Sequence, residues 1–244
     1  MKWLFLSSGL NSGKFNMKTD LYLALNLEPD EAIFRLYQWQ PYCISLGANQ
    51  DENIIDYEEA KRDSIDVVKR PTGGKAILHA DEITYSVIYP VTQDLSAREL
   101  YTSINLALKS GLEKYSSKLS ELELENTQAD FSKLYNETSG SICFAASAKS
   151  ELKYDGKKLV GSAQRKFKDS ILQHGSILCG NYHTNIINYL KIPEEEKKII
   201  QNDLNEKTID LNTVLEEKID YESLSEFLAL GFQEYFNIDS LQYV

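Results

Sequence analysis

Two lysines, Lys157 and Lys158, follow an Asp155-Gly156 turn and run directly into three of the smallest residues, Gly161, Ser162 and Ala163. An ammonium beside a stretch stripped of side-chain bulk suits a group that polarises or binds a substrate carbonyl. Asp-Gly between two alternating runs is a hairpin signal. Alternation along the following strand puts Lys158, Val160 and Ser162 on one face and Lys157, Leu159 and Gly161 on the other. Lys157 is expected at the solvated turn, and Lys158 one step further in. The bland alternative is a rim lysine that snorkels its charge outward.

A second candidate is Cys143 in the run "SICFAAS", an apolar segment bounded by small residues. Buried cysteines are commonly inert small hydrophobes. A nucleophilic one needs its thiolate, which a nearby ammonium such as Lys158 favours. Cys43 and Cys179 lack comparable small-residue clearance and read as structural. The third segment is "KRPTGGKAILHADEITYS" over 69–86. Gly73-Gly74 permits positive φ and close backbone approach to a ligand, while Lys69, Arg70 and Lys75 add local positive charge. The alternative there is a tight hairpin with solvated charges.

The elements that must carry these groups are legible in outline. "MKWLFLSSGLNSG" reads as a first strand. A helix follows from Asn16, with Met17, Leu21, Ala24 and Leu25 expected on its buried face. Runs at 32–39, 42–47, 65–70, "AILH" and "EITYSVIYP" read as strands, and Gln40-Pro41 forbids a helix between the first two. Ser96 and Glu99 form a capping box ahead of a helix containing Leu100, Ile104, Ala107 and Leu108. Residues 116–140 are polar and loop-like. Strand-like runs then return as a meander up to "SILQHGSILCG". From Pro193 the chain becomes charged and helical, ending in an amphipathic helix with Leu224, Phe227, Leu228, Phe232, Tyr235 and Phe236. This order predicts an α+β class with a mixed or antiparallel sheet flanked by helices. One domain over 1–244 is expected, with 190–244 as its C-terminal helical segment. Neither GxGxxG nor GxxxxGK[ST] is present.

The 244 residues carry 26 Lys plus Arg against 37 Asp plus Glu, a formal charge of −11. Such a balance argues against a general nucleic-acid or anionic-membrane binder. Three scattered cysteines and three scattered histidines give neither a disulfide framework nor a metal-ligand spacing, which fits a reducing cytoplasm. No metal is expected.

Three ordered segments together resemble the biotin/lipoate protein ligase and lipoyl/octanoyl transferase superfamily. They are "RLYQWQPYCISLGANQ" (35–50), "RPTGGKAILH" with Ile83-Thr-Tyr-Ser-Val87, and "GKKLVGSAQR" followed by "LQHGSIL" (172–178). The likeness runs from about residue 16 to residue 180. Cys143 and, fifteen positions later, Lys158 make the chain similar to octanoyltransferases of the cysteine-upstream type. The resemblance implies a biotin/lipoate ligase-like catalytic domain. It implies that Cys143 takes octanoyl from acyl carrier protein as a thioester, and that Lys158 contacts the acyl carbonyl and assists. The acceptor would be a lysine on a lipoyl domain, such as the glycine-cleavage H protein or the acyltransferase subunit of a 2-oxoacid dehydrogenase. Arg70, Gly73, Gly74, Lys75, His79, Gly161, Ser162, Ala163, His174 and Gly175 would line the acyl site. No cofactor is implied for transfer, whereas ATP and Mg belong to the rival reading, an ATP-dependent lipoate-protein ligase. Transfer of octanoyl between lipoyl domains, and a noncatalytic binder of the same fold, are further alternatives. Because acidic partners would be repelled by a charge of −11, a docking face is expected at Lys69, Arg70, Lys75, Lys157, Arg165, Lys166 and Lys168. The acidic load should then lie after Pro193.

Overall fold

The computed structural model describes residues 1–125, 150–239 and 241–243. Cys143, with the whole of "SICFAAS", lies outside the described residues. Strand β1 (Lys2–Asn11) leads into helix α1 (Gly13–Leu25), whose first turn is capped by the Ser12 hydroxyl accepting the Phe15 amide. Next come β2 (Glu31–Trp39), β3 (Cys43–Leu46), the short helix α2 (Tyr57–Arg62), β4 (Asp66–Lys69), β5 (Ile77–His79) and β6 (Glu82–Pro90). Helix α3 (Ala97–Tyr115) starts at the expected capping box, in which both reciprocal hydrogen bonds are made. Strands β7 (Glu123–Leu124), β8 (Leu152–Tyr154), β9 (Lys157–Lys158), β10 (Val160–Lys166) and β11 (Ser170–Leu178) follow. Helices α4 (Glu194–Lys207), α5 (Leu211–Leu215) and α6 (Tyr221–Tyr235) then precede β12 (Gln242–Tyr243).

The main sheet is mixed, in the order β10-β11-β6-β2-β1-β12. Its first four strands run antiparallel to their neighbours, and β2, β1 and β12 are parallel. Two three-stranded sheets flank it, β4-β3-β5 and β7-β8-β9. The class is the α+β one expected.

Alternation along the strands divides the main sheet into two differently covered faces. Phe34 and Leu36 of β2, with Tyr85 and Val87 of β6, meet Leu108 of α3 and Leu228 and Phe232 of α6 in the largest apolar cluster. The Phe34 and Phe232 rings stack with centroids 3.7 Å apart. Helices α3 and α6 cross at glycine. A Cβ on Gly231 would sit 2.2 Å from the Gly111 nitrogen, and one on Gly111 would sit 2.7 Å from the Leu228 Cα. Even alanine at either position would push the helices off the sheet.

On the opposite face α1 is turned differently from the expected amphipathic helix. Met17 and Ala24 are buried as expected, but Leu21 and Leu25 are exposed, and the inward face includes Asn16 and Asp20. Arg35 on β2 is the cause. Its fully buried guanidinium donates to Asp20 Oδ1 at 2.7 Å, Asn16 Oδ1 at 2.8 Å and Ser8 Oγ at 2.9 Å. Exposing a leucine forfeits about 1.5–3 kcal/mol. Burying an ion without its partner costs several kcal/mol per ion. Matching the guanidinium therefore decides how the helix is rotated.

Candidate active site

The strand register lays the site out in two rows. Arg35 stands opposite Ser86, Ser86 opposite His174, and His174 opposite Ala163, while the next row runs Tyr37, Thr84, Ser176, Gly161. Both rows occupy the α1 side of the sheet. Glycine and alanine at their β10 ends leave room where every other strand supplies a larger side chain. The result is a narrow pocket on this side of the sheet.

Of the residues expected to line an acyl site, Arg70, His79, Gly161, Ser162, Ala163, His174 and Gly175 border this pocket, as does Lys158, expected to contact the acyl carbonyl. Among the described residues Met17, Tyr37, Trp39, Ile77, Thr84 and Ser176 also line it, and sequence reasoning does not point to them. Gly73, Gly74 and Lys75 are not among its lining residues; they form the turn behind Arg70. Arg70 is 3% exposed, and its guanidinium donates to three backbone carbonyls and to the Ser45 hydroxyl. It bonds the carbonyls of Ser45 at 2.8 Å, Gly73 at 2.9 Å and Lys75 at 2.7 Å. Gly74 has φ +92°, and a Cβ on Gly47 would lie 1.9 Å from the Gly74 carbonyl oxygen, so this turn requires both glycines. Arg70 thus holds a loop shut and takes no part in a docking face. Lys69, Arg165, Lys166 and Lys168 are exposed. Lys69 pairs with Glu52 at 3.0 Å, and Arg165 donates to the Pro71 carbonyl at 2.7 Å. After Pro193 there are 13 Asp plus Glu against 4 Lys, so that segment carries −9 of the −11.

Both histidines have both ring nitrogens engaged. His79 stacks on Trp39 with centroids 4.1 Å apart, contacts Glu82 Oε1 through Nδ1 at 2.8 Å, and contacts Ser45 Oγ through Nε2 at 2.7 Å. Glu82 Oε1 also accepts from Ser176 at 2.8 Å, and Trp39 Nε1 donates to Thr84 at 2.6 Å. His174 lies between Asp20 Oδ2 at 3.1 Å and Thr72 Oγ1 at 2.7 Å. Burial lowers its pKa, against an opposing pull from the hydrogen bond and charge of Asp20. Burial alone would raise the Asp20 pKa. The hydrogen bond and charge of His174, with Arg35 and Ser86, outweigh it and hold that carboxyl below its usual value.

Lys158 is the buried ammonium of the pocket, at 2% exposure. The expected alternation from Lys158 through Val160 to Ser162 does not hold. The chain bends at Leu159, separating β9, which pairs with β8, from β10, which pairs with β11. Leu159 and Val160 both enter the main apolar cluster. The bend lets Lys158 share the pocket with Gly161, Ser162 and Ala163 alike. Its Nζ is 3.0 Å from Glu151 Oε2, and Glu151 Oε1 accepts the Ser162 amide at 3.0 Å. One carboxylate therefore fixes both the ammonium and the edge strand beside it.

Asp20, Glu82, Glu151 and Thr72 are the polar groups that sequence reasoning missed. Only the Asn16/Asp20 pair, one helical turn apart on the face that also carries Met17, carried a visible signal. Cys43 and Cys179 are buried, and burial pushes both thiols well above their ordinary pKa. Among the described residues no cluster of His, Cys, Asp and Glu is arranged to hold a metal, and no helix is long and apolar enough to cross a membrane.

The profile of the lipoyl protein ligase A/B catalytic domain matches residues 12–233. Octanoyltransferase LipM of Geobacillus kaustophilus is 33% identical over 244 aligned residues, covering 97% of this chain and 87% of the relative. Octanoyltransferase LipM of Bacillus subtilis is 30% identical over 248, covering 97% and 87%. Among solved structures, lipoate-protein ligase A bound with ATP superposes with a TM-score of 0.77 at 19% identity, over 100% of this chain and 90% of that one. The bipartite lipoate protein ligase of Thermoplasma acidophilum, solved with its E2 lipoyl domain, gives 0.76 at 19% identity, over 100% and 88%. At these identities the structural likeness speaks for the fold.

Proposed function

Since this chain belongs to the lipoyl protein ligase A/B catalytic-domain family, we propose that it is an acyltransferase that moves octanoyl groups onto lipoyl domains, by way of a thioester on Cys143. The relatives named octanoyltransferase support the reaction. The pocket that joins a buried lysine to a wall of Trp39, Met17 and Ile77 supports the substrate: an apolar chain with a carbonyl at one end. That pairing is the observation on which the proposal stands.

In the first step the Cys143 thiolate attacks the carbonyl of an octanoyl thioester on acyl carrier protein. A new S–C bond forms, the carrier sulfur leaves, and it takes up a proton. In the second step the deprotonated ε-amine of the acceptor lysine attacks the enzyme thioester. The amide forms and the cysteine thiol is restored. Each step builds negative charge on the carbonyl oxygen, which the Lys158 ammonium stabilises. Thioester exchange is nearly balanced and amide formation is downhill, so no ATP enters. The acceptor is a lipoyl-domain lysine, the glycine-cleavage H protein being one such domain.

The test is intact-mass analysis after incubation with octanoyl-acyl carrier protein, without ATP. One octanoyl adduct is expected on the wild type and none on Cys143→Ser. Cys43 and Cys179 are buried as un-ionised thiols and give no competing adduct. Modification of a lipoyl domain that requires ATP and free lipoate, and persists in Cys143→Ser, would overturn the transferase in favour of a ligase.

A further inference from the structure

Three cationic and three anionic side chains, each no more than 3% exposed, surround the pocket: Arg35, Arg70 and Lys158 against Asp20, Glu82 and Glu151. Histidines aside, the charge of these six described residues sums to zero. Lys158 combines a place in the pocket wall with a carboxylate at ion-pair distance. Arg35 is matched by Asp20 behind the floor, and Arg70 is turned onto backbone carbonyls.

We propose that Glu151 is a specificity-determining residue: its carboxylate, held on the Lys158 ammonium, admits the neutral carbonyl of an acyl thioester and turns away the carboxylate of a free fatty acid. This rests on the reading that the pocket takes the acyl chain. An isolated ammonium in an apolar pocket would attract an anionic head group above all else. With Glu151 Oε2 already 3.0 Å from Nζ, an incoming carboxylate meets a like charge across the same cation. Two buried anions on one cation leave a net negative charge out of water, which is costly. A carbonyl brings no net charge and still feels the dipole of the ammonium–carboxylate pair. Glu151 cannot readily swing aside, because its second oxygen holds the Ser162 amide at 3.0 Å on the strand that clears the pocket. Selection against free acid therefore needs no further element.

Octanoate and octanamide have the same shape and differ in charge, so the ratio of their affinities isolates the effect. The experiment is calorimetric titration of both into the wild type, Glu151→Gln and Glu151→Asp. The wild type should favour octanamide. Glu151→Gln should move the ratio toward octanoate by about tenfold or more, and Glu151→Asp should keep the wild-type preference. A folded Glu151→Gln that binds octanamide like the wild type, with the ratio within about twofold of wild type, overturns the role of Glu151. If Glu151→Gln does not fold, Lys158→Gln decides: it should weaken octanoate relative to octanamide by at least about tenfold, and an unchanged ratio again overturns the proposal. Failure of octanamide to bind the wild type at all would instead overturn the reading of the pocket as an acyl site.

Discussion

Lys158→Met is expected to lower kcat for octanoyl transfer by about 10²–10³, the usual cost of removing a preorganised group that stabilises an oxyanion. The same substitution takes the ammonium from a carboxylate that is 2% exposed, and breaking a buried pair from one side costs about 3–5 kcal/mol. The two effects separate in the double variant Lys158→Met with Glu151→Gln. Removing both charges should recover most of the stability, read as a denaturation midpoint, while transfer stays at the level of the single variant. Single-turnover transfer from octanoyl-carrier protein measures the first quantity and urea unfolding the second. Near-wild-type transfer by a folded Lys158→Met protein would refute the assignment of this lysine to the chemistry.

The largest loss of stability is expected at Asp20. Its carboxylate, fully buried, faces Arg35 Nη1 at 2.7 Å, the Tyr37 hydroxyl at 2.9 Å, the Ser86 hydroxyl at 2.9 Å and His174 Nδ1 at 3.1 Å. Asp20→Ala leaves the guanidinium buried without its counter-ion and should cost about 3–5 kcal/mol, a large share of the 5–15 kcal/mol typical of a folded domain. Asp20→Asn keeps the shape and tests the charge. The folded-state pKa of Asp20 lies below its ordinary value of 3.8. Burial pushes the other way, but His174, Arg35 and Ser86 prevail. A depressed carboxyl pKa stabilises the fold fully above the unfolded value, and that contribution disappears as pH falls through the folded value. The stability gap between wild type and Asp20→Asn should therefore be constant from pH 7 down to about 5 and shrink below about 4. A gap of the same size at pH 3 and pH 7 would show that the charge of Asp20 contributes nothing.

How much of this was legible beforehand follows from where the information resides. Strand runs and the Ser96/Glu99 cap are local, and the sequence displays them directly. The small residues after Lys158 are local too, and they mark the pocket. Rotation of α1 is not local: it depends on Arg35, fifteen positions beyond Asp20, which in the sequence is one charged residue in a strand of apolar neighbours. Glu151 reads as an ordinary surface acid until the bend at Leu159 brings Lys158 and the Ser162 amide to the same carboxylate. Period-two reasoning failed there for a specific reason, since two strands in different sheets share one uninterrupted stretch of text. Sequence neighbours point Arg70 at the site, yet its guanidinium bonds Ser45 of β3 and the Gly73 and Lys75 carbonyls of the loop that those neighbours form.

Helix α1 is seated by its polar stripe, so the greasy half of its thirteen residues looks outward, with Phe15, Leu21, Tyr22 and Leu25 in solvent beside Lys14 and Lys18. The consequence is a division of labour within a single segment. One side is locked to Arg35 and Met17's pocket and can tolerate little variation, while the other owes nothing to the sheet and is at liberty to drift. Anyone redesigning this protein by oil-inside rules would rewrite the wrong half.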